Sequence, residues 1–237
     1  MISVLIPYAS PCPHRGHALA WVVERWRQAL PGCEIIIGLS PQGPWRKGLA
    51  VADAARRSHG EILVVTDADV WCDRTVEAAG LVAAGRPWAI PHRTVYRLSE
   101  VATTRVLEGA DPEQTMRRGG REMLSEARYE GIAGGGIVIV SREAYEAAPI
   151  DGRFAGWGGE DEAWAMALDT IAGPCRRLDG LLWHLWHPPP QRLSRLVGSH
   201  GNDALKRRYR EAYSHRDQML GLVAEGAQLL ASGSLVA

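Results

Sequence analysis

Short apolar runs alternate with amphipathic stretches along the first third of the chain. The runs at residues 2–6 (ISVLI), 34–39 (EIIIGL) and 62–66 (ILVVT) lack a regular polar face, which is typical of strands buried on both sides of a sheet. Apolar residues at helical spacing predict a helix that ends at Pro31-Gly32, and residues 46–58 predict a second, shorter helix. This order predicts an α/β domain of the Rossmann-like type, with a mostly parallel central sheet flanked by helices.

The rest of the chain adds one strand and several helices to this pattern. Residues 137–140 (IVIV) predict another buried strand, helices are expected at 75–85 and 164–171, and residues 202–231 predict one helix or two. Residues 91–131 are polar and arginine-rich without a clean strand pattern, so we expect a helical or mobile insertion there. The predicted organisation is one domain over residues 1–190, with halves at 1–90 and 132–190, followed by a C-terminal helical extension over 191–237.

Charge and cysteine usage narrow the class of protein. The 237 residues carry 27 Lys+Arg and 27 Asp+Glu, and this balance argues against a nucleic-acid partner, which usually requires a basic excess. The four cysteines form no Cys-x-x-Cys pair, so zinc-knuckle and thioredoxin-type sites are not predicted. The N-terminus has a strand pattern without the basic start of a signal peptide, and no apolar run reaches the roughly 18 residues of a membrane span. We therefore expect a cytoplasmic protein without an integral membrane segment.

The first candidate site follows the third predicted strand. Asp67 and Asp69, separated by one residue, come directly after ILVVT. In open α/β sheets ligands bind at the carboxyl ends of strands, and two carboxylates there can converge on a hard divalent cation. An Asp-rich β-turn is also common after strands, so the sequence leaves both interpretations open.

The second candidate is the glycine-rich string Gly156-Trp157-Gly158-Gly159-Glu160-Asp161. Glycines allow a backbone to approach a ligand closely, and Trp157 offers a flat apolar face to a sugar ring. Acids at a helix N-terminus also satisfy free N–H groups and the helix dipole without any further function. Capping needs only one acid, so a ligand-binding role is the favoured interpretation.

The third candidate is the segment Trp183-His184-Leu185-Trp186-His187. A neutral imidazole is a common metal ligand, although two histidines in an apolar segment can also be core residues. Because the Asp pair and the acidic loop occur in the same chain, we expect at least one of His184 and His187 to bind a metal.

Together these residues resemble the glycosyltransferases of the GT-A fold, with a family 2-like first half and a galactosyltransferase-type second half. The SVLIP strand and Asp67-Ala68-Asp69 resemble the nucleotide-sugar half, whereas Gly134-Gly135-Gly136 and the GWGGED string resemble the acceptor half. The resemblance implies a hexosyltransferase with a nucleotide-sugar donor, most often UDP-linked, and Mn²⁺ or Mg²⁺ as cofactor. The implied acceptor is a glycan, a protein or a small molecule.

The resemblance also implies a role for each matching residue. Asp69 would bind the metal with His184, or with His187 in its place, and Asp67 would contact the ribose or the base. Asp161 would be the catalytic base and Glu160 an acceptor-sugar contact, or the two roles would be exchanged. The other donor positions are Pro7, Tyr8, Arg15, Arg46 and Lys47, and the other acceptor positions are Gly135, Gly136, Trp157, Gly158 and Gly159. Leu39-Ser40 and Asp53 depart from the family pattern on the nucleobase side.

The expected chemistry is transfer with inversion. Negative charge grows on the leaving diphosphate, where a divalent cation stabilises it, and a carboxylate can take the proton of the incoming hydroxyl. A base on the face opposite the leaving group gives inversion, and retention is the open alternative if neither acid reaches the acceptor.

Two other functions are compatible with parts of the pattern. A nucleotidyltransferase that makes nucleotide sugars also uses paired Asp residues, but it needs a basic Gly-rich loop where this chain has Tyr8-Ala9-Ser10-Pro11-Cys12-Pro13. A non-catalytic sugar-binding module would keep the fold without turnover. The C-terminal helix, which carries Arg207, Arg208 and Arg210, could join two copies of the chain, although packing on its own domain is the simpler interpretation.

Overall fold

The computed structural model describes residues 1–9, 12–40, 43–126, 128–130, 134–156, 158–188 and 199–232. Its strands are β1 Ile2–Pro7, β2 Glu34–Gly38, β3 Ile62–Thr66, β4 Val70–Trp71, β5 Trp88–Arg97, β6 Tyr129–Glu130, β7 Ile137–Ser141 and β8 Arg176–His184. Its helices are α1 Pro13–Ala29, α2 Lys47–Arg56, α3 Thr75–Ala83, α4 Glu100–Leu107, α5 Pro112–Gly119, a 3₁₀ helix Gly120–Met123, α6 Arg142–Ala147, α7 Glu160–Ile171, α8 Ser199–Ala212 and α9 Arg216–Ser232.

Across these described ranges, eight strands form one sheet in the order β2-β1-β3-β7-β5-β8-β4, with β6 added beside β5. Strand β1 is parallel to β2 and β3, and β5 is parallel to β8. Strand β7 lies antiparallel between β3 and β5, and β4 and β6 are also reversed. Five of the eight strands therefore run in one direction, and the predicted α/β class with a mostly parallel sheet flanked by helices is confirmed.

The sheet is buried on both faces, which explains the continuous apolar runs. In β3, Leu63 and Val65 face the layer of α2, α6, α7, α8 and α9, whereas Val64 faces the layer of α1, α3 and α4. Successive side chains of a strand point to opposite faces, so both residue sets must be apolar when helices cover both sides.

The expectation that residues 91–131 contain no clean strand is wrong, because β5 extends through this segment to Arg97. Pro91 and His92 interrupt its apolar pattern, and its pairing with β8 shifts register on both sides of His92. Strand β8 was not predicted for a related reason, because its charged residues and Gly180 interrupt the apolar pattern. A Cβ at Gly180 would lie 2.3 Å from the Pro91 carbonyl oxygen, so the close approach of β8 to β5 at this point requires glycine.

The two C-terminal helices pack on the same hydrophobic cluster as α7. Tyr209, Met219 and Leu222 are buried in it, and the Tyr209 hydroxyl donates a 2.9 Å hydrogen bond to Asp151. Arg210 pairs with Glu162 of α7. The apolar side of α8 and α9 is thus used within the chain, while association through it stays a prediction. No helix in the described part of the chain combines the length and apolar character needed to cross a bilayer.

Candidate active site

The strand directions bring the predicted site residues to one edge of the sheet. The carboxyl ends of β1, β3 and β8 lie at this edge, together with the amino end of the reversed β7. The Asp67 N–H donates to the Gly136 carbonyl at 2.9 Å, and the Leu185 N–H donates to the Asp69 carbonyl at 2.8 Å. The D-x-D turn therefore lies between the Gly134–136 segment and the histidine segment.

Asp69, His184 and His187 form a candidate cation site. One ligand atom from each residue lies within 4.8 Å of the others. Asp69 Oδ1 is 3.9 Å from His184 Nε2, Asp69 Oδ2 is 3.3 Å from His187 Nε2, and Asp69 itself is buried. The cause is the β4–β8 pairing, in which Val70 lies opposite His184 and so holds the preceding Asp69 beside both rings.

Backbone carbonyls orient both imidazole rings. His184 Nδ1 lies 2.9 Å from the Leu185 carbonyl oxygen, and His187 Nδ1 lies 2.8 Å from that of Pro188. Because a carbonyl only accepts, each Nδ1 donates to it, and each Nε2 faces Asp69, where the neutral ring can bind a cation. Burial lowers the pKa of His187, which further favours its neutral, ligand form.

The three residues fit a divalent cation. Ligand atoms around an ion at about 2.1 Å lie about 3–4 Å apart, close to the separations between Asp69 and the two rings. Two imidazole nitrogens with one carboxylate suit Mn²⁺ better than Mg²⁺, which prefers oxygen ligands.

Arg15, near the start of α1, lies close to two of the candidate ligand atoms, His187 Nε2 and Asp69 Oδ2. Its Nη2 lies 3.2 Å from His187 Nε2, and its Nε lies 3.8 Å from Asp69. The guanidinium donates to the lone pair that a cation would use, so Arg15 and a cation compete for His187.

Lys47 links the other half of the D-x-D turn to the acidic loop. Its buried ammonium lies 2.7 Å from Asp67 and 2.9 Å from Asp161. Burial alone would lower the pKa of Lys47, but the carboxylates of Asp161, Asp67 and Glu160 outweigh burial and raise it above the usual value. The D-x-D turn is therefore divided, since Asp69 faces the histidines and Asp67 faces Lys47.

Glu160 and Asp161 begin α7, after Gly159 in the left-handed conformation with φ of 97°. The Glu160 carboxylate accepts the Gly158 N–H at 3.0 Å, and burial followed by the charge of Asp161 raises the pKa of Glu160 to about 7. Burial also raises the pKa of Asp161, against the opposing effect of Lys47. A Cβ at Gly135 would lie 3.0 Å from Asp161 Oδ2, so glycine there leaves room beside this carboxylate.

Several residues expected to contact a ligand also have partners within the protein. Arg46 donates to the carbonyls of Gly152 and Arg153 at 3.0 and 3.2 Å, so it fixes that loop, and its contact with a donor phosphate stays a prediction. Gly136 has φ of 86° and lies under β8, where a Cβ would be 2.5 Å from Leu182. Pro7 ends β1, and the Tyr8 N–H donates to the Gly38 carbonyl at 2.9 Å. Trp157 lies outside the described residues.

The sequence reasoning missed Asn202, which holds the glycine-rich loop. Its side-chain amide donates to the carbonyls of Ala155 and Gly158, each at 3.0 Å, and its oxygen accepts the Ala155 N–H at 3.2 Å. Asn202 is buried, although it belongs to the C-terminal helix α8. A lone asparagine in a polar helix gives no signal of this contact, because it depends on how α8 packs.

The described residues define an α/β protein with a candidate cation site and the acid pair Glu160 and Asp161 joined at one sheet edge. No family model and no curated protein matches the chain. Among solved structures, it is similar to a Drosophila β-1,4-galactosyltransferase 7 mutant in complex with manganese, UDP-Gal and xylobiose, at 10% identity and a TM-score of 0.46. That match covers 81% of this chain and 66% of the other, so the chain spans just under two thirds of that galactosyltransferase.

Glucosyl-3-phosphoglycerate synthase from Mycobacterium tuberculosis is also similar. Its complex with Mn²⁺, UDP-glucose and phosphoglyceric acid matches at 15% identity and a TM-score of 0.43, over 94% of this chain and 80% of that one. Its complex with Mg²⁺ and UDP matches at 15% identity and a TM-score of 0.42, over 94% and 79% of the two chains. At these values the function has to be inferred from the site itself.

Proposed function

We propose that the protein is a metal-dependent glycosyltransferase that moves a sugar from a nucleotide-diphosphate donor to an acceptor hydroxyl. The observation that carries the proposal is that the D-x-D turn connects the candidate cation site with Asp161 at the start of α7. Asp69 belongs to the candidate cation site, and Asp67, one residue before Ala68, reaches Asp161 through Lys47. Sugar transfer from such a donor needs both groups within one cleft, one for the leaving diphosphate and one for the attacking hydroxyl.

The donor side consists of Asp69, His184 and His187 with Arg15 and Asp67 beside them. A divalent cation held by the first three would neutralise the charge that grows on the departing diphosphate. Arg15 would then be released from His187 and could pair with the donor's phosphates. Pro7 and Tyr8, at the end of β1, would contact the nucleoside, as the motif resemblance implies. The choice of a UDP-linked donor and of Mn²⁺ or Mg²⁺ rests on the motif resemblance.

The acceptor side consists of Asp161 and Glu160 with the surrounding glycines. Asp161 would take the proton of the acceptor hydroxyl as that hydroxyl attacks the anomeric carbon, and the raised pKa of Asp161 favours this role. Gly135 leaves space beside Asp161 for the reacting hydroxyl. Glu160, Trp157, Gly158 and Gly159 would contact the acceptor sugar. With the base on the face opposite the leaving group, the product would have inverted anomeric configuration.

The proposal is tested by measuring UDP release from a panel of UDP-sugars with Mn²⁺, with and without acceptors, and by Mn²⁺ titration calorimetry. Asp69→Asn and Asp161→Asn should each lower transfer by about three orders of magnitude or more. Only Asp69→Asn should also weaken Mn²⁺ binding. Asp179→Asn is the matched control, because its carboxylate is exposed and pairs with Arg93 instead.

Turnover retained in both site variants would contradict the proposed mechanism. Pyrophosphate release from UTP and a sugar phosphate would assign the protein to the nucleotidyltransferases. Tight UDP-sugar binding without hydrolysis or transfer, even with Mn²⁺, would instead indicate a sugar-binding module.

A further inference from the structure

A groove of about 620 Å³ lies between α1 and α4, next to the candidate cation site. Trp186 lines the groove, while the adjacent His187 turns its Nε2 toward Asp69. On the opposite wall, His14 lines the groove and the adjacent Arg15 contacts Asp69. Two dipeptides, His14-Arg15 and Trp186-His187, therefore separate the groove from the cation site. Its size is that of a small-ligand pocket, for which about 300–1,000 Å³ is usual.

Two half-buried indoles form the apolar part of the groove. The backbone N–H of Trp186 donates to Thr103 Oγ1 at 2.7 Å, and its ring meets His14 edge-on at 5.0 Å between centroids. The Trp21 ring carries the guanidinium of Arg25 at 4.9 Å from its centre. Both rings are thus held in place before any ligand binds, which lowers the cost of binding a flat apolar surface.

The polar part of the lining contains three carboxylates beside His14, His17, Thr103 and Thr104. Glu24, Glu100 and Glu108 all line the groove, and Glu24 contacts Arg27 and Gln28 of its own helix. Within the described ranges, Glu100 and Glu108 form no ion pair, so their carboxylates are available to accept hydrogen bonds. Such a lining accepts hydroxyl or ammonium donors and repels carboxylates, sulfates and phosphates.

We propose that this groove binds a non-anionic saccharide unit of the acceptor, at a distance from the hydroxyl that reacts. Aromatic faces with carboxylate acceptors match the apolar faces and outward hydroxyls of a sugar, and the same carboxylates would repel the diphosphate of the donor. The identification of the bound sugar as part of an acceptor rests on the proposed function, whereas the binding of saccharide does not.

The test uses the full chain without added metal and three trisaccharide probes. These probes are cellotriose, which is neutral, the chitosan trimer, which carries amines, and trigalacturonic acid, which is anionic. Calorimetry should detect the first two and show at least about tenfold weaker binding of the third. Trp21→Ala should weaken the neutral probe about tenfold, while Val101→Ala, an exposed change on α4 outside the groove, should have no effect. Changing Glu100 and Glu108 together to Gln should remove the discrimination against the anionic probe.

Failure of the groove proposal and failure of the proposed function give different results. If no probe binds, or if Trp21→Ala binds as wild type does, the saccharide proposal is overturned even when Mn²⁺-dependent transfer is present. If probes bind at Trp21 but no UDP-sugar is turned over, the groove is a saccharide site and the transferase proposal fails. A dimer that buries Trp21, detected by light scattering with the Trp21→Ala variant as comparison, would also overturn the saccharide proposal.

Discussion

The substitution Lys47→Met tests how the acidic cluster is held together. Methionine keeps an unbranched apolar side chain of similar length in the same buried position but removes the ammonium. Asp67 and Asp161 would then lose a cation at 2.7 and 2.9 Å. Glu160 would lose the positive charge that opposes the effect of burial on its pKa. Several carboxylates would remain close together without a counter-ion.

The distances set the size of the effect. At an effective dielectric constant of about 20, each pair at roughly 3 Å is worth about 5–6 kcal/mol before the cost of burying the ammonium is subtracted. Removing one partner of a buried pair costs about 3–5 kcal/mol in practice. The side chains of Asp67 and Asp161 keep 33% and 27% of their exposure, so water can compensate part of the loss and the lower end applies. We expect about 3 kcal/mol, or a fall in Tm of about 6–12 °C for a chain of this size.

Thermal and urea unfolding at pH 8 and pH 5 measure this loss. The deficit of Lys47→Met relative to wild type should shrink at pH 5, because protonation relieves the unpaired carboxylates of the variant. Adding Asp161→Asn to Lys47→Met should recover part of the stability at pH 8. Lys206→Met is the control, since Lys206 lies 3.6 Å from Glu162 in a more exposed pair, which is worth under about 1 kcal/mol. Equal, pH-independent losses in the two lysine variants would refute the reasoning.

Two further substitutions test the acidic loop, Glu160→Gln at the start of α7 and Asn202→Ala at the residue of α8 that holds the loop. Burial raises the folded-state pKa of Glu160 from 4.5 to about 7, so its contribution to stability is lost as pH rises through that window. Glu160→Gln should therefore be more stable than wild type at pH 8 by up to about 3 kcal/mol and gain little at pH 4, and equal urea midpoints at pH 8 would contradict this. Asn202→Ala should cost about 1–3 kcal/mol and expose the Ala155 amide to faster hydrogen exchange, whereas Tyr213→Phe, which removes the hydrogen bond from the residue after α8 to Asp169 of α7, should leave that amide protected.

The strands that could be predicted are those whose local pattern is unambiguous. Residues 62–65 are all apolar because helices cover both faces of the sheet, and the apolar run at 137–140 lies within β7 for the same reason. β5 and β8 could not be predicted in this way. Their pairing passes through an irregular register near His92 and a close crossing at Gly180, and both interrupt the alternation that identifies a strand.

The candidate residues were identifiable because reactive residue types stand beside glycines or at strand ends. Asp69, His184 and His187 lie together as the D-x-D and histidine motifs suggest, although the role of each stays a prediction. Arg46 shows the limit of such reasoning, since no local pattern reveals its carbonyl partners in the 152–153 loop.

The amino-acid sequence alone determined the α/β class and the set of residues able to bind a cation or accept a proton, because both depend on local periodicity and residue chemistry. Only the tertiary structure decided which partner each carboxylate meets. Lys47 and Asp161 are 114 residues apart, and Asn202 reaches a loop 44 residues before it. Such contacts depend on the reversal of β7 and on how α8 packs against α7, and a long-range packing arrangement leaves no periodic signal in the chain.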